Sequence, residues 1–306
     1  MNFKELYSKY FLQASVLYKV IIINVLVFVF FPVLNTIGFL FDTNLEFVKN
    51  WFAFPHDIFS YIYKPWTLIT YGFLHSGFRH ILFNMLYLYF FGQVFLNIHN
   101  GRRFLNVYFL GIVVGGLVYM LSYNLFPAFS TVHSSVLVGA SAAVNAVMVA
   151  ATVQSPNYSF KLMFLPFTFK LWWITVALLF FDVINIPNGN AGGHLAHLGG
   201  ALIGYLYMTQ LQKGNDIGKP VEAFMDWVVS LFKPKEKTRL KTVYKAKKEG
   251  RSATSTKAKA TTTYQSTHSK TPTQQQIDAI LDKISKSGYE SLSKKEKDVL
   301  FKAGKN

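Results

Sequence analysis

Apolar stretches long enough to cross a bilayer recur from about residue 20 to about residue 210. A helix needs about 20 predominantly apolar residues to span the hydrocarbon core. Inside lipid each backbone polar group must find its partner within the protein, so such segments fold as helices packed on one another. Six spans can be drawn, at about 20–41, 72–96, 104–123, 137–154, 168–186 and 193–211. The breaks between them carry turn chemistry: Gly101 within Asn97–Arg103, Pro127 within Asn124–Thr131, Pro156 beside Asn157, and Pro187 within Asn185–Gly193. The fourth and sixth spans are short and rich in Gly and Ala, which suits central helices shielded by longer, Leu- and Phe-rich ones. The first run, Val20–Phe41, is longer than a signal-peptide core and lacks a small-residue cleavage site, so it reads as a retained transmembrane helix.

Charge divides the chain in two. Residues 1–210 hold ten basic and five acidic residues, whereas residues 211–306 hold 21 basic and ten acidic ones. Lys4, Lys9 and Lys19 lie before the first span, Arg102 and Arg103 between the second and third, and Lys161 and Lys170 between the fourth and fifth. By the positive-inside rule these segments and the basic tail face the cytoplasm, and an even number of spans puts both termini there. The first outer loop, Asp42–Tyr71, is aromatic, with Trp51, Phe52, Phe54, Phe59, Tyr61, Tyr63 and Trp66, and is expected to be structured and partly embedded. The chain has no cysteine, which excludes disulfides, thiolate nucleophiles and Cys-ligated metal.

Four regions follow: a cytoplasmic segment 1–19, a six-helix domain 20–211, a segment 212–272 and a module 273–306. Residues 221–232 read as an amphipathic interfacial helix. Residues 233–272, rich in Lys, Thr and Ser, read as a disordered linker. Anionic lipid is its expected neighbour; nucleic acid is not expected, since no binding motif accompanies the charge. In the last module Ile277, Ile280, Leu281 and Ile284 share a face, and Ser293-Lys294-Lys295-Glu296 has capping-box spacing. A small helical hairpin that binds an unidentified protein is the expectation.

Polar side chains within spans are costly and mark sites. His75, His80 and Asn84 open the second span, with His80 and Asn84 on one helix face. Ser141 sits in Gly139-Ala140-Ser141-Ala142, in the fourth. His194 and His197 open the sixth, ahead of Gly200 and Gly204, a GxxxG that permits close packing against Ala140, Ala142, Ala143 and Ala146. Such an approach would bring serine and histidine together as nucleophile and base. Ser141 alone is as well explained by a bond to a backbone carbonyl. His194 and His197, with His75 or His80, also offer metal ligands. Asp182 is the only carboxylate in spans two to six, and none lies beside the histidines in sequence to orient their rings.

Together these clusters resemble the rhomboid family of intramembrane serine proteases, over about residues 60–210 and in the family's order. The resemblance implies an all-α membrane protein, a bacterial six-span bundle with a C-terminal cytosolic extension. It implies that Ser141 is the nucleophile and His197, not His194, the general base, acting as a dyad without cofactor or metal. It assigns His80, Asn84 and the Ser141 amide to the oxyanion, with His75 in support. Trp66 falls on a family tryptophan whose arginine partner is Thr67 here. Asn145 stands where an aromatic often stacks on the catalytic imidazole, so a hydrogen bond from Asn145 is expected to orient the ring instead.

The implied activity is an endopeptidase cutting transmembrane segments of other membrane proteins near the outer face of the plasma membrane. Span five, with Trp172, Trp173, Phe180 and Phe181, resembles the family's lateral gate, and lipid contact explains those aromatics equally well. The alternative is an inactive rhomboid-like protein that binds membrane clients. A transporter would show inverted repeats and midplane charges, which the sequence does not.

Overall fold

The computed structural model describes residues 13–161, 168–232 and 274–303. The chain forms two compact units, residues 1–236 and 237–306. The basic segment 233–272 and the lysines at 4 and 9 lie outside the described residues.

Six helices build the first unit: α1 (Val16–Leu40), α5 (Phe78–Leu96), α6 (Gly101–Leu125), α7 (Ser141–Gln154), α8 (Leu171–Asn185) and α9 (Ala191–Gln212). Three stretches, Val16–Leu40, Gly101–Leu125 and Leu171–Asn188, are long and apolar enough to cross a membrane by themselves. Between α1 and α5 the connecting segment folds into α2 (Glu46–Phe52), strand β1 (Phe54–Pro55), α3 (Ile58–Tyr63) and α4 (Thr67–Thr70). Its aromatics are ordered: the Trp66 indole donates to Trp51 O at 3.0 Å, and the two indoles lie 5.6 Å apart. Thr67, where the family's arginine would stand, is buried and donates to Lys64 O at 2.6 Å.

Two helices begin later than the apolar pattern suggests. The second span is drawn from 72, yet residues 71–73 form a separate 3-10 turn and α5 starts at Phe78. His75 therefore lies in the irregular stretch before the helix, not on it. The fourth is drawn from 137, yet Val136–Leu137 form strand β2, antiparallel to β1, and α7 starts at Ser141. Gly139 explains the delay: its φ of +132° lies outside the helical region and suits only glycine. Its N–H donates to Tyr71 O at 3.0 Å, tying the segment before Ser141 to the segment between α1 and α5.

α7 is the centre of the bundle. Ten of its 14 residues are buried, from Ala142 to Thr152. Small residues on its neighbours make this possible. A Cβ on Gly200 or Gly204 of α9 would collide with the carbonyl oxygens of Ala142 and Ala146. A Cβ on Gly111 of α6 would lie 2.6 Å from the Ala146 methyl. The helices thus meet backbone to backbone, the contact that van der Waals packing in lipid rewards. α1 is attached through a buried polar side chain: Asn24 donates to Tyr108 Oη of α6 at 3.1 Å. α8 is held more loosely, burying only Leu171, Thr175 and Asp182.

After α9, helix α10 (Lys219–Phe232) lies against α6, where Asn106 donates to Glu222 at 2.9 Å. The second unit holds α11 (Gln274–Ser287) and α12 (Lys294–Ala303). The capping box forms: Ser293 N–H donates to Glu296 at 2.7 Å, and Glu296 N–H returns to Ser293 Oγ at 3.4 Å. Lys283 reaches across to Glu296 at 2.9 Å, and Ile280 and Leu292 are buried.

Candidate active site

A cavity of about 510 Å³ opens among α5, α7, α8 and α9, and Ser141, His80, Asn84, Asn145, His194 and His197 all line it. Each comes from a different reason of chain geometry. Ser141 is the first residue of α7, so it stands where the N–H groups of a helix have no intrahelical acceptor and the helix dipole is positive. His80 and Asn84 lie one turn apart on α5, and His194 and His197 lie three residues apart on α9.

Hydrogen bonding identifies the protons on His80. Its Nδ1 accepts from the Ser76 amide at 3.4 Å and lies 2.9 Å from Ser76 Oγ. A backbone N–H can only donate, so Nδ1 is the acceptor and Nε2 carries the hydrogen. That Nε2 faces Gly139: a Cβ there would lie 2.9 Å from it and 3.5 Å from Ser141 Oγ. Gly139 thus keeps open the space between the serine hydroxyl and the His80 donor. Asn84 supplies a second donor. It is buried at 5% exposure, and its Nδ2 has no partner among the described residues. Leaving a buried amide unsatisfied costs about 1–3 kcal/mol, which an acceptor in the cavity would recover.

His75 stands behind this wall. It is buried, its ring centroid lies 5.2 Å from that of His80, and neither ring nitrogen makes a well-formed hydrogen bond with another described residue. Lys49 donates to its carbonyl at 3.0 Å.

The histidines of α9 correct the sequence reading. A carboxylate does lie beside them: Asp182 Oδ1 is 2.7 Å from His197 Nδ1 and 2.8 Å from His194 Nδ1. Asp182 comes from α8 and is buried, with only 9% of its side chain exposed. Asn145 does not take the ring-orienting role. Its amide donates to Ser141 O at 3.0 Å, the preceding turn of its own helix. Nor does Ser141 Oγ hydrogen-bond His197; the hydrogen bond that His197 makes is to Asp182. Asp182, His194 and His197 also present ligand atoms within 4.8 Å of one another.

The Rhomboid domain family model matches residues 63–213, which takes in every residue of this cavity. A family of unknown function (DUF6576) matches residues 265–304, the region of α11 and α12. The chain is 30% identical over 183 residues to RHOMBOID-like protein 12, mitochondrial, of Arabidopsis thaliana, covering 56% of this chain and 54% of that protein. It is 30% identical over 148 residues to the human Presenilin-associated rhomboid-like protein, mitochondrial, covering 48% and 37%. It is 27% identical over 160 residues to Rhomboid protease GlpG of Photorhabdus laumondii, covering 52% and 51%. The chain thus spans between about a third and about half of the length of these relatives. Bundle, cavity and sequence likeness agree, and the chain belongs to the rhomboid family.

Proposed function

We propose that this protein is an intramembrane serine endopeptidase that cuts transmembrane segments of other membrane proteins with Ser141 as nucleophile and His197 as general base. The observation that carries the reading is the unpaired Asn84 amide, buried in the same cavity as the Ser141 hydroxyl and the His80 N–H donor. Buried donors without acceptors are what an oxyanion site consists of before substrate arrives.

His197 Nδ1 faces Asp182, so Nε2 is the atom left for Ser141. Hydrogen bonds of this kind are often long in the empty site and tighten when substrate binds. The imidazole takes the serine proton as Oγ attacks the peptide carbonyl, then returns it to the leaving amine. Water, activated by the same nitrogen, releases the acyl group. Asn84 Nδ2, His80 Nε2 and the Ser141 amide receive the oxyanion. The loop from Asp57 to Tyr71 and the starts of α5 and α9 lie toward the outer face, where water would enter. We read all six long helices as spans with both termini cytoplasmic, since the basic loops then lie inside, and the membrane as a bacterial plasma membrane. The exposed Trp172, Trp173, Phe180 and Phe181 of α8 would meet lipid or an entering substrate helix. The α11–α12 hairpin would serve a separate protein partner.

The test is cleavage of a single-span reporter with a helix-destabilised segment, in liposomes. Ser141→Ala and His197→Ala should abolish cutting, and His194→Ala should retain it within about tenfold of wild type. Undiminished cutting by Ser141→Ala would refute the assignment.

A further inference from the structure

The family resemblance implies a two-residue mechanism, and the geometry of α8 points beyond it. We infer that Asp182 is a positioning residue: its carboxylate holds the His197 ring in the tautomer and orientation that the base requires, braced from the other side by His194. The inference rests on the protease reading of the same cavity.

Three observations carry it. First, both imidazoles meet one oxygen, Asp182 Oδ1, at 2.7 and 2.8 Å. These are lengths of charge-assisted bonds. Second, an ionised carboxylate can only accept, so each Nδ1 must carry its hydrogen, which in the neutral ring leaves Nε2 with a lone pair. For His197 that lone pair is the base. Third, among the described residues the ring has no other hydrogen bond. Asn145 is engaged with Ser141 O, and the ring contact of His197 is an edge-to-face one with His194 at 5.8 Å.

The bland alternative is that Asp182 only satisfies two buried imidazoles and pins α8 to α9. The placement argues for more. Asp182 is the only acidic residue in α5 to α9, it is buried on a helix that otherwise hides only Leu171 and Thr175, and it touches the base and its neighbour together. A carboxylate is costly within the bilayer and persists where it is paired and functional.

Asp182→Asn separates the two roles, because it keeps shape and replaces one acceptor oxygen with an NH₂ donor. The amide oxygen that both Nδ1–H groups share is then uncharged and a weaker acceptor, and the NH₂ favours the opposite tautomer in whichever ring it faces. The full-length protein, reconstituted in phosphatidylcholine–phosphatidylglycerol liposomes, would be assayed on the fluorescence-quenched single-span reporter. Asp182→Asn should lower kcat by about 10²- to 10⁴-fold with KM within about threefold of wild type. Asp182→Glu should restore part of the loss.

Nitrogen-15 NMR of histidine-labelled protein in micelles supplies a readout independent of turnover, the His197 signal being assigned by its loss in His197→Ala. Wild type should show His197 protonated at Nδ1, and Asp182→Asn should lose that single tautomer. Asp182→Asn with kcat within about threefold of wild type, or wild-type His197 protonated at Nε2, would overturn the positioning role. The outcomes are separable. If Asp182→Asn cuts normally while Ser141→Ala does not, the protease reading stands and this inference falls. If wild type leaves the reporter intact yet shows the Asp182-dependent tautomer, the hydrogen bond from His197 to Asp182 stands, but the protease reading falls and the positioning role falls with it.

Discussion

α7 and α8 adjoin the same cavity, yet they are held in opposite ways. α7 is buried on nearly all sides, and its partners are glycines whose missing side chains let backbones touch. α8 hides three residues and shows its aromatics outward, with Trp172, Trp173, Phe180 and Phe181 each more than 40% exposed. Ser141 therefore rides on the most tightly packed helix, and Asp182 on one of the least. Position of the serine is set by packing that cannot relax without breaking the bundle. Asp182 is held by two hydrogen bonds to α9, and its helix meets the bundle through Thr152 Oγ1 to Thr175 Oγ1 at 2.6 Å and through Leu171, Ile174, Leu178 and Leu179, which pack on the core.

Substitutions at the two helices should differ sharply. The largest effect is expected at the α7–α9 seam. Gly204→Leu drives a side chain into Ala146 O and should cost about 3 kcal/mol or more, read as a large fall in Tm in detergent with loss of cleavage. Next, Asn84→Ala removes a donor without disturbing that seam; kcat should fall by about 10²- to 10³-fold with Tm little changed. At the other end, Phe180→Ala on the outer face of α8, where the side chain is 63% exposed, should shift stability by no more than about 0.5 kcal/mol. A loss of Tm at Phe180 equal to that at Gly204 would erase the contrast between the helices.

The parts of this molecule legible in the sequence are those written locally. Apolar runs mark the helices of the bundle, His80, Asn84, Ser141 and His197 line one cavity, and Ser293 with Glu296 caps α12. Two parts were written non-locally. The late start of α7 depends on the left-handed φ of Gly139 and on the pairing of β2 with residues more than 80 positions earlier. Hydropathy, which averages over a window, cannot see either. Asp182 lies 15 residues before His197, across the Ile186–Asn188 turn and the loop that follows. Only the packing of α8 on α9 brings them together. A signal did exist: a single carboxylate on a strongly apolar helix needs a buried partner, and the nearest candidates were the histidines of the next span. Asn145 was readable too, since an Asn within a helix commonly reaches the carbonyl four residues back.

The central claim is that Ser141 is activated by His197. It is tested most directly by reacting the full-length protein with a fluorophosphonate and locating the adduct by mass spectrometry. The account predicts a single adduct on Ser141, absent in His197→Ala and retained in His194→Ala. An adduct on another serine, or undiminished labelling of Ser141 in His197→Ala, would contradict it.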